Sequence, residues 1–416
     1  MRKSPILYMI TLGIFLLACV FPWGTARAET TIQVTETHDE LNNDGDCSLR
    51  EAIRAANTNQ AVDACPAGSS SSTDTIVVPP GTYSLSLPGK LENDGLTGDL
   101  DITSSLVLTG GGVGNTILDA HQIDRVLHVI SAGSVTIRRL TIRGGSAPLE
   151  NSQSRGGGIF NQLSDLLVDD VLVTNNEALT TGGGMDNFGG TLTVRRTTVK
   201  NNHAKDGGGV FNGNQLVIEN SLLNENTADE SGGGLDNNSI ASLRNVTFSS
   251  NHAGTDPVLH TGLGGGIFSD AIAYMTNLTI YGNSGVGFVN EGEARLSNVL
   301  IASNNLTNCN EGVQLISEGH NLEDTDSCQF SNATDLSNTA PLLQSLDDNG
   351  GPTKTYALQE NSPAIDNGSP ASCPNTDQRG GLRPADGDHD GDAVCDIGAY
   401  EYLASFGIIY LPLTNK

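Results

Sequence analysis

Between Val168 and Asn304 one pattern of apolar and polar positions keeps returning: an apolar residue, two polar residues, apolar-x-apolar, then two variable positions and Asn. The copies are Val168–Asn176, Val194–Asn202, Ile218–Asn226, Leu243–Asn251, Met275–Asn283 and Leu296–Asn304, and Ile137–Gly145 is an earlier copy without the Asn. The alternation has period two and draws on Val, Ile, Leu and Thr, which predicts short strands with one buried face. Nothing between residues 73 and 306 carries the period of an amphipathic helix. Ahead of the five copies from Val168 to Asn283 stands a Gly-Gly-Gly element, beginning at Gly156, Gly182, Gly207, Gly232 and Gly264, and Gly285-Val286-Gly287 is a degenerate sixth. Four of the five continue as apolar, then Phe or Asp, then Asn: Ile159-Phe160-Asn161, Met185-Asp186-Asn187, Val210-Phe211-Asn212 and Leu235-Asp236-Asn237; the fifth is Ile267-Phe268-Ser269.

A unit of short strands and tight corners that closes every 21 to 32 residues predicts an all-β solenoid, a right-handed parallel β-helix. Propeller blades need about 40 residues, and the leucine signature of leucine-rich repeats is missing. In such a coil Val168, Val171 and Val173 point inward, as do Val194, Thr197 and Val199, and Leu243, Val246 and Phe248. Asp169-Asp170 and its equivalents make a corner. The glycines permit positive φ at the tight bends. The Asn column stacks from coil to coil, each amide bonding the next or its own backbone. Read up the coils, the corner pairs are Arg138-Arg139, Asp169-Asp170, Arg195-Arg196, Glu219-Asn220 and Arg244-Asn245. Their alternating sign predicts an exposed ion-pair ladder.

The two ends depart from the repeat. Residues 1–28 have the layout of a signal peptide: Arg2 and Lys3, the apolar stretch from Ile6 to Val20, and a small-x-small site at Ala26-Arg27-Ala28. From Ser48 a short helix is expected, with Ser48 and Glu51 forming a capping box and Leu49, Ala52, Ile53 and Ala56 one apolar face that covers the first coil. Six cysteines remain beyond the leader: Cys47, Cys65, Cys309, Cys328, Cys373 and Cys395. In an exported chain an even set reads as disulfides; they allow 15 pairings, of which closest-neighbour pairing is one. Aromatics are only 5% of the residues, which a thin continuous core tolerates. The net charge of −27, or −30 without the leader, argues against a nucleic-acid partner and against docking on anionic lipid. The mature chain has no stretch long enough to span a membrane.

Two places carry candidate chemistry. Asp169 and Asp170 with Arg195, amid Arg138, Arg139 and Arg196, are the candidate catalytic group of a polysaccharide lyase or hydrolase: acids would hold Ca²⁺ and a base would take the proton alpha to a uronate carboxylate. The graded continuation through Glu219 and Arg244 favours the ladder instead. The second is a calcium-like run, Asp386, Asp388, Asp390 and Asp392 at alternate positions, followed by Asp396. Such spacing wraps oxygens around Ca²⁺, although the EF-hand Glu at loop position 12 is replaced by Ile397.

The segment Cys47-Ser48-Leu49-Arg50-Glu51-Ala52-Ile53, with Gly98-Asp99-Leu100-Asp101-Ile102 and Asp124-Arg125-Val126, resembles bacterial exported proteins with a CSLREA domain. Asn349-Gly350-Gly351-Pro352-Thr353, Ser362-Pro363-Ala364-Ile365-Asp366, Asp377-Gln378-Arg379-Gly380 and Cys395-Asp396-Ile397-Gly398-Ala399-Tyr400-Glu401 resemble the choice-of-anchor Q domain. The glycine-rich repeats are similar to those of polymorphic outer-membrane proteins, which are surface adhesins; no autotransporter barrel follows them here. The division this implies is a signal peptide (1–28), a CSLREA-like cap (29–72), β-helix repeats (73–306), a choice-of-anchor Q-like region with a disulfide-containing cap (307–402) and a tail (403–416). The resemblance implies an exported extracellular or cell-surface protein that binds a glycan or cell-surface ligand, or serves the envelope structurally. Polysaccharide lyase or hydrolase activity is the alternative.

Overall fold

The computed structural model describes residues 30–90, 92–147, 154–254, 264–310 and 315–403; the expectations for 1–28 and for the tail beyond 403 lie outside the described residues. The chain is a right-handed parallel β-helix. Ile137, Val168, Val194, Ile218, Leu243, Met275 and Leu296 follow one another in parallel register, one per coil. A second sheet stacks Leu100–Ile102, Leu127–Ile130, Ile159–Gln162, Met185–Asn187, Val210–Asn212, Leu235–Asn237, Ile267–Ser269, Val286–Asn290 and Thr307–Cys309 in chain order. A third, narrow sheet comprises His203–Ala204, Thr227–Ala228 and His252–Ala253.

The inward positions expected from the alternation are buried and belong to one continuous core. At the corner between strands that core turns polar where the column Val171, Thr197, Ser221, Val246 loses its methyl groups. Thr197 donates to Arg195 O and accepts from Val171 N, and Ser221 donates to Glu219 O and accepts from Thr197 N, so neither hydroxyl is left unpaired. Two asparagine ladders hold the coils in register. In one, Asn176, Asn202, Asn226, Asn251 and Asn283 each donate from Nδ2 to the Oδ1 of the next, ending on Asn304. In the other, Asn161 donates to Asn187, Asn187 to Asn212, Asn212 to Asn237, and Asn237 to Ser269 Oγ. The first glycine of each triplet has φ between 63° and 69°, the left-handed region where a Cβ is strained.

The helix Leu49–Thr58 begins on the expected capping box of Ser48 and Glu51 and lays Leu49, Ala52, Ile53, Ala55 and Ala56 on the first coils. Cys47–Cys65, Cys309–Cys328 and Cys373–Cys395 are bonded, the closest-neighbour set among the 15. Cys309, Cys328 and Phe330 pack against the last turns of the core. Beyond them the chain returns along the flank. Asn245 Nδ2 donates to Thr376 O, Thr247 Oγ1 to Gln378 Oε1, and Ala399 N to Thr279 Oγ1. An antiparallel hairpin, Leu343–Asp347 with Thr355–Leu358, is held there by the hydroxyl contact of Tyr356 with Ser249.

Candidate functional site

The flanking hairpin and the outer face of four coils enclose a groove of about 510 Å³. Its wall on the β-helix is made by Asp170, Leu172, Arg196, Thr198, Lys200, Leu222, Asn224, Glu225 and Ser250, and its other wall by Leu346, Pro352, Thr353, Lys354 and Tyr356. Period-two alternation puts these residues outside: Val173, Val199 and Leu223 turn into the core while their neighbours face the groove. Coils stack about 4.8 Å apart, so four coils give a floor roughly 14 Å long. The lining mixes three cationic side chains, Arg196, Lys200 and Lys354, with two carboxylates, Asp170 and Glu225. Lys200 Nζ and Glu225 Oε2 are 3.7 Å apart. Asn224 is buried in the floor, and its Oδ1 has no hydrogen-bond partner among the described residues.

The candidate catalytic residues are placed differently from one another. Asp169 and Arg195 stand in the corner ladder. Arg196 reaches back to Asp169 at 2.5 Å, Arg195 reaches forward to Glu219 at 3.3 Å, and Arg244 also pairs with Glu219. The ladder alternates as its sequence does, although Asp169 bonds the second arginine of its neighbouring pair. Arg138 is directed to Thr109 Oγ1. Asp170 alone enters the groove. Its backbone, like that of Arg139, Arg196, Asn220 and Asn245, is left-handed, which turns the side chain out of the strand line at each corner.

In the acidic loop, Asp386 and Asp388 meet Asp366, with one carboxylate oxygen of each within 4.8 Å of the others. Asp366 Oδ2 accepts from the Gly387 and Asp388 amides, and the buried Asp386 Oδ1 has no hydrogen-bond partner among the described residues. Asp390 and Asp392 lie on the exposed side, where Asp388 Oδ1 accepts from Asp390 N and Asp390 Oδ1 from Asp392 N. Asp396 turns inward to accept from the Asp366 and Tyr402 amides; burial and the neighbouring Glu401 raise its pKa to about 8.

Sequence reasoning missed a buried column on the outside of the second sheet. Asp101, His128, Phe160, Asp186, Phe211 and Asp236 occupy one register position, and all are buried although they point away from the core. Loops cover them. Arg155 stacks over Phe160, Phe188 and Phe211 at 5.9, 4.6 and 5.6 Å and pairs with Asp186 at 3.1 Å. The alternation of Phe and Asp at this position was the available signal.

These features define the class: a right-handed parallel β-helix with an asparagine-laddered interior and a polar groove on its flank. The model of the Chlamydia polymorphic membrane protein repeat matches residues 245–270. No curated protein matches the sequence. Among solved structures, the crystal structure of pectate lyase Pel9A is similar with a TM-score of 0.55 at 14% identity, covering 90% of this chain and 98% of that chain. The A-module of Azotobacter vinelandii mannuronan C-5 epimerase AlgE4 matches at a TM-score of 0.35 and 16% identity, over 72% of this chain and 83% of its own. That of AlgE6 matches at 0.35 and 17%, over 72% and 81%.

Proposed function

We propose that this is an exported, cell-surface or extracellular β-helix protein that binds an acidic polysaccharide in the flank groove. The observation that carries the reading is the groove itself: a floor across four coils where Arg196, Lys200 and Lys354 meet hydroxyl and amide groups. Cations of this kind bind sugar carboxylates, and Asn224 Oδ1 offers an acceptor to a hydroxyl. The reading also draws on the polymorphic membrane protein repeat match, on the leader-like residues 1–28, and on disulfides, which persist in oxidising compartments. We read residues 29–72 as a CSLREA-like cap, 73–306 as the repeat domain and 307–402 as a choice-of-anchor Q-like region. Asp366, Asp386 and Asp388 fit Ca²⁺ through hard carboxylate oxygens.

A second reading, β-elimination on the same chain, is favoured by Asp170 facing a groove of basic residues in a fold shared with a pectate lyase. Binding without turnover is preferred because Asp169 and Arg195 are engaged in the ladder. The test is affinity electrophoresis and calorimetry on polygalacturonate, alginate and a neutral glucan, with calcium and with chelator, alongside an assay for unsaturated ends. Saturable binding to an acidic chain is expected, weakened about tenfold or more in the double variant Lys200→Ala, Lys354→Ala, since each charge-assisted bond contributes about 1.5–3 kcal/mol. Equal affinity of that variant and the native protein refutes the groove, and unsaturated products establish the second reading.

A further inference from the structure

Beneath the N-terminal helix the strands Leu100–Ile102 and Leu127–Ile130 bring together Asp99, Asp101 and His128, none more than 3% exposed. One ligating atom from each lies within 4.8 Å of the other two. His128 is oriented from two sides: its ring stacks on Phe160 with centroids 4.9 Å apart, and Nε2 lies 3.0 Å from Gln162 Oε1. In the tautomer that donates from Nε2 to that oxygen, Nδ1 presents a lone pair. Nδ1 faces Asp101 Oδ1 at 3.3 Å, and this buried oxygen has no other partner among the described residues. In that tautomer two electron-rich atoms face each other at a buried position. The 3.3 Å separation equals the edge of a tetrahedron with metal–ligand bonds of about 2.0–2.1 Å.

The surrounding contacts are those of a held ligand set. Asp101 Oδ2 is fixed by the Gly95 amide at 2.8 Å, and Asp99 Oδ2 by Arg125 Nε at 2.9 Å. A histidine whose remote N–H meets an oxygen acceptor, and carboxylates held by outer partners, are the usual support of a metal centre. The charges point the same way. Asp99, Asp101 and the equally buried Asp124 stand against one guanidinium, Arg125, because Arg50 is paired with Asp39 and Arg155 with Asp186. The buried carboxyls outnumber the guanidinium that meets them, a surplus a cation would offset.

We propose that Asp99, Asp101 and His128 bind one divalent transition ion, with imidazole and carboxylate donors suited to zinc, and that the ion clasps the first coils together under the cap. Arg50 donates to Asp99 O at 2.9 Å and to Gly98 O at 2.8 Å, so the clasp is continuous with the helix. The purified protein, stripped with chelator and titrated with zinc chloride, is expected to retain one zinc per chain after desalting and to melt several degrees higher. His128→Gln is expected to lose that zinc, while Asp386→Asn and His389→Gln, both in the acidic loop Asp386–Asp392, keep it. X-ray absorption of the zinc-loaded His389→Gln protein, whose acidic loop holds no imidazole, reads the shell directly: one imidazole with oxygen neighbours supports the site. Failure of the native protein to retain zinc, retention by His128→Gln, or a shell of oxygen alone overturns it.

Discussion

At the scale of single residues, the outer column of the second sheet shows what a buried carboxylate does with and without a cation. Asp186 has Arg155 at 3.1 Å, and burial still raises its pKa to about 6. Asp236 sits two coils further on, where Asp206 stands in the place that Arg155 holds beside Asp186, and Ser231 in the place of Thr181. Burial, with Asp206 and Asp270 nearby, raises its pKa to about 7 against the hydrogen bond from Ser231. Its unfolded pKa is near 3.8, so between about pH 4 and pH 7 the folded chain binds the extra proton, and stability falls as pH rises through that window. The full penalty, on the order of a few kcal/mol, is present above pH 7. Asp236→Asn removes the titration. Urea or thermal melts from pH 4 to pH 8 are expected to show native and variant alike at pH 4 and the variant more stable at pH 8; parallel curves would count against this assignment. The sequence displays the Phe and Asp that alternate in this column, but not their burial. Arg155 and Phe188, which cover them, come from loops whose course is not written in a period-two pattern.

At the scale of the element, the coil was legible because its determinants are local and repeated. An inward Val, a corner pair and an Asn recur at nearly fixed spacing, and one-residue slips would expose every core side chain, so pattern dictates register. The Gly-Gly-Gly corner adds a steric requirement between coils. A Cβ on Gly208 would lie 2.3 Å from Thr227 O and 2.8 Å from Gly233 O, both backbone atoms of the next coil. On Gly213, which also lacks a positive φ, the nearest atom is Asn187 O at 3.2 Å. Gly208→Ala is therefore expected to cost about 3 kcal/mol or more, and Gly213→Ala about 1 kcal/mol or less, in chemical denaturation. Because each coil touches only its neighbours, hydrogen exchange in Gly208→Ala should accelerate around residues 183–235 and leave the N-terminal coils unchanged. Uniform acceleration along the chain would mean that the solenoid responds as one cooperative block.

At the scale of the whole molecule, the groove exists because the C-terminal region folds back on the β-helix. The sequence signalled a disulfide-bearing cap there; the side of the column it would also cover was not legible, since that depends on contacts between residues more than 100 positions apart. Thr247 and Asn245 are outward residues of an ordinary coil until Gln378 and Thr376 meet them. Gln378 is fully buried, accepts from Thr247 Oγ1 at 2.7 Å, and donates to Thr353 Oγ1 at 2.9 Å and Lys354 O at 3.0 Å. It is thus the bridge from the coil to the hairpin turn that forms one wall of the groove. Gln378→Ala leaves the buried Thr247 and Thr353 hydroxyls and the part-buried Lys354 carbonyl without this partner, a local cost of about 1–3 kcal/mol for each buried one that finds no water. That cost falls on the docking of the turn, because the coil keeps its own ladders and core. Limited proteolysis is expected to cut within residues 343–358 of the variant, and affinity for an acidic polysaccharide to fall about tenfold, with the main thermal transition of the β-helix shifted by only a few degrees. Cleavage together with undiminished affinity would move the binding surface away from the hairpin and onto the face of the column alone. Loss of the main transition would show that the returning chain is part of the solenoid's own stability, not a wall laid against it.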